Sequence, residues 1–201
     1  MDERLSFEIK RKIIHSFSVV YILIYYYVAK YFSHKTALLC LLFIFILLLF
    51  IEFVKIRYRK KIPLFEPIYR EKEKYRISGS VYLVLGVIIT FSVFDFEIAV
   101  VSLLMMIFGD MAATLVGMSL GKHWTRNIPG VAWEGIIAEF IVDVLVGFLF
   151  LKNAIAILAM ALTATFIEAV LNSTDDNLAV PALSGFAGQS VLIFLKLFRF
   201  I

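Results

Sequence analysis

The stretch LLCLLFIFILLLFI, from Leu38 to Ile51, is an unbroken apolar run without a single charge. With its flanks it fills a segment from Thr36 to Ile56, close to the ~20 residues a helix needs to cross a bilayer. Working outward, six further segments have similar character: Ile13 to Phe32, Ser78 to Phe94, Glu97 to Leu120, Trp133 to Leu151, Ala154 to Leu171 and Leu178 to Phe198. The third in chain order, from Ser78, is short, and the three from Glu97 to Leu171 carry carboxylates. The 201-residue chain is 62% hydrophobic with a mean hydropathy of +0.92, whereas soluble domains are about 45–50% apolar. The expected fold is therefore all-α: a polytopic membrane helical bundle of about seven transmembrane helices, forming one membrane-embedded domain over residues 1–201.

The basic residues set the expected direction. With the N-terminus in the cytoplasm, 15 of the 20 Lys and Arg residues fall on the cytoplasmic side and five on the other, as the positive-inside rule requires. Most belong to the N-terminal MDERLSFEIKRK and to a polar 57–77 loop, read as cytoplasmic with an interfacial helix. The charged opening, followed by no small-residue cleavage pattern, does not read as a secretory signal. Seven spans then put the C-terminus outside. The net charge of +4 suits anionic lipid headgroups and not nucleic acid, because the basic residues flank spans. The lone Cys40 has no internal partner and reads as packing. Trp124 and Trp133 suit the interfacial belt, and His34 and His123 read as ordinary loop residues.

Charges inside a bilayer cost at least ~2.5–3.5 kcal/mol each at a helix centre and tend to be functional. On this topology Glu52, Asp110, Glu134, Glu168 and the Asp175–Asp176–Asn177 loop lie toward the cytoplasm, where Arg11, Lys12 and His15 introduce the first span. Carboxylates and an Asn are hard oxygen ligands that suit Mg²⁺, which commonly also holds substrate phosphates, and Lys or Arg neutralises the remaining phosphate charge. Phosphoryl transfer needs mainly that positioning, plus a group to orient or deprotonate the attacking hydroxyl. In FGDMAATLVGMSLGK, Phe108 to Lys122, Gly117 and Gly121 fall within about 20° of Asp110 around the helix. The carboxylate thus faces small residues, which admit either a neighbouring helix or a lipid chain. Glu139 and Asp143 share a face one turn apart, about 140° and 180° from Glu134. They extend the site, pair structurally, or meet another copy in a homo-oligomer.

Five ordered blocks resemble the CTP-dependent polyprenol and dolichol kinases, with their phytol kinase and diacylglycerol kinase relatives. They are RKIIH (Arg11–His15), Ser78-Gly79-Ser80 with Tyr82 and Gly86, FGDMAATLVGMSLGK, WEG (Trp133–Gly135) and IEAVLNSTDDNLAVP (Ile167–Pro181). The resemblance implies an integral membrane kinase of the cell membrane or endomembranes, its active site facing the cytoplasm. It would move the γ-phosphate of CTP to a lipid alcohol with Mg²⁺ as cofactor. Asp110, Glu134, Glu168 and Asp176 would be catalytic, with Asp110, Asp176 and Asn177 at the metal and Glu134 or Glu168 as base. Arg11, Lys12, His15, Ser80, Gly109, Gly117, Gly121, Lys122, Arg126, Gly135 and Asn177 would bind nucleotide and phosphate. The Lys and Ser or Thr that many members carry before Glu-Gly are Val131 and Ala132 here, so Lys122 or Arg126 would supply that cation.

Two other readings compete. A cytidylyltransferase would release pyrophosphate instead of CDP, but Pro129-Gly130 lacks the acidic and basic signature expected after it. A small ion- or proton-coupled transporter also gathers intramembrane acids, but its polar groups would continue into the outer half, which is nearly all apolar here.

Overall fold

In hydrocarbon every backbone N–H and C=O must pair within its own segment, which restricts a chain this apolar to helices or a closed barrel. The computed structural model describes residues 3–58, 77–125, 130–171 and 176–198, and these are helical throughout apart from their connections. The helices are α1 (Glu3–Ser16), α2 (Val19–Tyr31), α3 (His34–Tyr58), α4 (Gly79–Val93), α5 (Phe96–Leu120), α6 (Trp133–Phe150), α7 (Ala154–Leu171) and α8 (Asp176–Leu197). Four stretches are long and apolar enough to cross a membrane: Ser6–Tyr31, His34–Arg57, Phe96–Leu120 and Asp176–Leu197. Gly79–Val93 and Ala154–Val170 are apolar but shorter. Helix α6 is set apart by its three carboxylates, Glu134, Glu139 and Asp143. Most of the expected 57–77 loop lies outside the described residues.

The first expected segment is not one helix. It is jointed at Phe17–Ser18, where the backbone changes to the tighter i→i−3 pattern: Ser18 N donates to His15 O at 2.9 Å and Tyr21 N to Ser18 O at 2.9 Å. Two hydroxyls supply the cause, Ser16 Oγ donating to Ile13 O and Ser18 Oγ to His15 O. Such bonds compete with the helical ladder for its carbonyls. The joint lets α1 bring Lys12 against α5 while α2 packs on α3.

Helix α5 is the centre of the bundle. It contacts α1, α4, α6, α7 and α8, most extensively α6, and Ile98, Leu103, Met105 and Met106 are buried on it. The α5–α6 seam is built on its glycines. A Cβ on Gly117 would sit 3.6 Å from Gly135 Cα, and one on Gly135 would be 2.7 Å from Ala113 O. Ala132, also buried, closes the seam: its Cβ would lie 2.8 Å from a Cβ on Gly121. The small-residue face of α5, expected to admit a lipid chain, is thus occupied by α6. Gly117, Gly121 and Gly135, expected at the phosphates, take part here in close helix packing, the usual use of small residues between membrane helices.

Helix α8 enters beside α4 by a different device. Pro181 lies within it and has no N–H for the Asn177 carbonyl. That carbonyl faces Gly86 of α4, where a Cβ would come within 2.7 Å of it.

Replacing Gly135 with Leu forces a side chain into the α5–α6 seam, and overpacking of this kind costs about 1–3 kcal/mol. The midpoint of thermal unfolding in detergent is expected to fall by several degrees, while Leu145→Val on the outer face leaves it unchanged. An unshifted Gly135→Leu midpoint would mean the two helices do not approach closely there.

Candidate active site

The joint of the first segment places Lys12 inside the bundle, where its Nζ pairs with Asp110 Oδ1. Lys12 is 4% exposed and Asp110 13%, so each charge depends on the other for the stabilisation that water would supply. Asp110 is also hydrogen-bonded to Glu168 of α7, and His15, one turn beyond Lys12, is close enough to act on its charge. Glu168 in turn lies within the field of Asp176 at the start of α8. Asp176 Oδ1 accepts the Asn177 N–H at 2.8 Å, and Asn177 Nδ2 reaches Gly79 O at 3.4 Å. Four helices, α1, α5, α7 and α8, therefore converge through Lys12, Asp110, Glu168 and Asp176.

Helix α6 adds a second set of acids, whose role the sequence reading left open. Glu139 and Asp143 are buried, and both face Gly109 of α5. A Cβ on Gly109 would fall on Asp143 Oδ1 and lie 3.2 Å from Glu139 Cγ. Gly109, expected at the phosphates, makes room here for two carboxylates beside Asp110. Asp143 Oδ2 accepts a long hydrogen bond, 3.4 Å, from Thr165 Oγ1 of α7, and its Oδ1 has no partner among the described residues. The pair points into the bundle. Its four-residue spacing and its angle to Glu134 were visible in the sequence; Thr165 carried no signal.

Other expected members stand elsewhere. Glu134 is engaged with the α5–α6 connection: its Oε1 meets His123 Nδ1 at 2.7 Å and accepts the His123 backbone N–H at 3.2 Å. His123, read as an ordinary loop residue, is thus its hydrogen-bond partner. The connection is tied further by Thr125 Oγ1 donating to Val131 O at 3.0 Å. Arg11 pairs with Glu8 one turn back along α1, at 2.8 Å. Lys122 and Ser80 are exposed at the end of α5 and the start of α4. Arg126 and Asp175 lie outside the described residues. His34, the other histidine read as unremarkable, bonds Tyr25 Oη through Nδ1 at 2.5 Å.

Among the described residues no three His, Cys, Asp or Glu side chains are grouped so as to hold a metal by themselves. The donor set nevertheless suits Mg²⁺, which is commonly held by one or two carboxylates with substrate phosphates supplying further oxygens. Asp110, hydrogen-bonded to Glu168, and Asp176, whose charge acts on Glu168, are of that kind.

The chain is similar to the CTP-dependent diacylglycerol kinase 1 proteins of three fungi. It is 28% identical to that of Saccharomyces cerevisiae over 151 residues, covering 71% of this chain and 50% of that protein. The Eremothecium gossypii protein is 24% identical, with 93% and 68% covered, and that of Schizosaccharomyces pombe 27% identical, with 59% and 62% covered. The chain thus spans between half and about two thirds of the length of these relatives. No family model matches the sequence, and no solved structure matches it.

Breaking a buried ion pair from one side costs about 3–5 kcal/mol because the remaining charge is stranded. Lys12→Met is expected to destabilise the detergent-solubilised protein by that order. The double variant Lys12→Met/Asp110→Asn should regain at least half of the loss. Losses that simply add in the double variant would show that the two side chains are not coupled.

Proposed function

We propose that this chain is a CTP-dependent lipid kinase of the membrane, moving the γ-phosphate of CTP to the hydroxyl of a lipid alcohol. The observation that carries the reading is the meeting of Lys12, Asp110, Glu168 and Asp176 from four helices in a chain similar to CTP-dependent diacylglycerol kinases. Diacylglycerol is the first acceptor to try on the strength of those relatives. A polyprenol or dolichol follows from the resemblance of the sequence blocks.

The chemistry follows from the charges. A triphosphate entering beside Asp110 brings negative charge that Lys12 is placed to share, so Lys12 exchanges part of its bond to Asp110 for phosphate oxygens. It provides the cation that the Val131 and Ala132 positions lack. Mg²⁺ bound by Asp110 and Asp176 would neutralise charge on the phosphates. The lipid hydroxyl oxygen forms a bond to the γ-phosphorus as the bond from that phosphorus to the β–γ bridging oxygen breaks, and CDP leaves. The hydroxyl proton is assigned to the hydrogen-bonded Asp110–Glu168 carboxyl pair, which shares one proton at rest and takes up the second as the new bond to phosphorus forms, because Glu134 is held by His123. The site is assigned to the cytoplasmic side, where positive-inside bias puts the starts of α6 and α8.

The transporter reading has less support. Beyond Asp143 the interior is filled by Met105, Val146, Ile157 and Met160, all buried, and Gly147 is packed on Ile157. A one-sided cluster suits an enzyme drawing on a nucleotide from one compartment.

Membranes containing the wild-type chain are expected to transfer label from γ-labelled CTP to diacylglycerol or a polyprenol and to release CDP. Asp110→Asn should abolish transfer, and Glu168→Gln should lower kcat about 10²–10⁴-fold, the usual weight of a general base. Pyrophosphate in place of CDP would identify a cytidylyltransferase. No transfer to any lipid alcohol from any nucleotide would end the kinase reading.

A further inference from the structure

The face of α5 once expected to take a lipid chain is closed by α6, so a lipid acceptor needs another approach. Between α6 and α7 runs a cavity of about 670 Å³, within the ~300–1,000 Å³ typical of small-molecule clefts. Its walls are Ile136, Ile137 and Phe140 on α6 and Leu162, Phe166 and Val170 on α7. Ile137, Leu162, Phe166 and Val170 are exposed on the outer surface of the bundle, so the cavity opens sideways, toward lipid. Trp133 and Thr125 stand at the end nearest the α5–α6 connection. From Trp133 to Phe140 the α6 wall rises ~10 Å along the helix axis.

The floor of this groove sets it apart from an ordinary lipid-facing crevice. Thr165 lines it and is itself buried, and its hydroxyl reaches Asp143 Oδ2. Asp143 and Glu139 lie against Gly109, next to Asp110. One hydroxyl therefore separates an apolar groove open to the bilayer from the acid cluster. The other threonine of the lining, Thr125, donates to the Val131 carbonyl and belongs to the connection.

We propose that the α6–α7 groove holds the hydrocarbon chain of the lipid alcohol, with its hydroxyl brought to Thr165 and the acids behind it. The proposal rests on the kinase reading for the identity of the ligand as an acceptor. It adds where that acceptor lies and the direction, lateral from the bilayer, from which it arrives. An apolar chain against Ile137, Phe140, Leu162 and Phe166 exchanges bilayer lipid for protein at little cost. The alcohol gains a hydrogen-bonding partner that an annular phosphatidylcholine, with no free hydroxyl at its head, does not use.

The test uses the full chain in phosphatidylcholine vesicles containing a long-chain alcohol with a mid-chain diazirine. On illumination, label is expected on Ile137, Phe140, Leu162 and Phe166, and excess diacylglycerol or polyprenol should suppress it while added phosphatidylcholine does not. Equal labelling of the outer face of α3, at Phe43 and Phe50, or equal competition by phosphatidylcholine, would overturn the groove. In the transfer assay, Leu162→Trp should raise the KM for the lipid about ten-fold with kcat and the KM for CTP little changed, the pattern of lost ground-state binding. Should that variant fold poorly, Phe166→Trp makes the same measurement, and an unchanged lipid KM in a folded variant counts against the groove. Competed groove labelling without transfer from CTP would uphold this binding site and reject the kinase reading. Transfer without groove labelling would do the reverse.

Discussion

The arrangement depends on one buried ion pair. Lys12 and Asp110 lie in the bundle interior on helices that are far apart in the chain, and neither charge is tolerable there alone. Their attraction holds α1 against α5, and α5 is the helix on which α4, α6, α7 and α8 also pack. A buried pair of this kind is weak evidence for stability, since an apolar replacement is often as stable. Its retention in so apolar a chain points to use, and a pair that opens when phosphate arrives is suited to such use.

The other intramembrane charges follow from how α5 is surrounded. Gly109 admits Glu139 and Asp143; Gly117 meets Gly135. The same helix thus serves two ends by the same means, absence of a side chain: close packing where the neighbour is a small residue, and room for carboxylates where the neighbour is acidic. Thr165 links this interior to the outer surface at the α6–α7 groove. The acid cluster and the bilayer are therefore separated by one hydroxyl, as the proposed transfer to an acceptor held in the membrane would require.

Much of this was legible in the residue order. Apolar runs of bilayer length allow only helices, so the all-α fold follows from Leu38–Ile51 and the segments like it. The intramembrane positions of Asp110 and Glu168 mark them by cost alone, before any partner is known. Periodicity also placed Glu139 and Asp143 on the opposite side of α6 from Glu134, and that division holds in the structure. The same rule was ambiguous for Gly117 and Gly121, because a stripe of small residues describes one helix surface and says nothing of what covers it.

Tertiary structure alone decided the partners. Lys12 and Arg11 are adjacent basic residues with the same propensity, and only the Phe17–Ser18 joint and the approach of α1 to α5 turn one into the buried cation and leave the other with Glu8. Glu134 and Glu168 read alike as candidate bases until His123 engages the first and Asp110 meets the second. Thr165 carries no signal at all, since a threonine in an apolar helix gains meaning only from the carboxylate opposite. Hydropathy and helical period are properties of one segment at a time, whereas pairing of charges is a property of two, and the chain order does not say which two will meet.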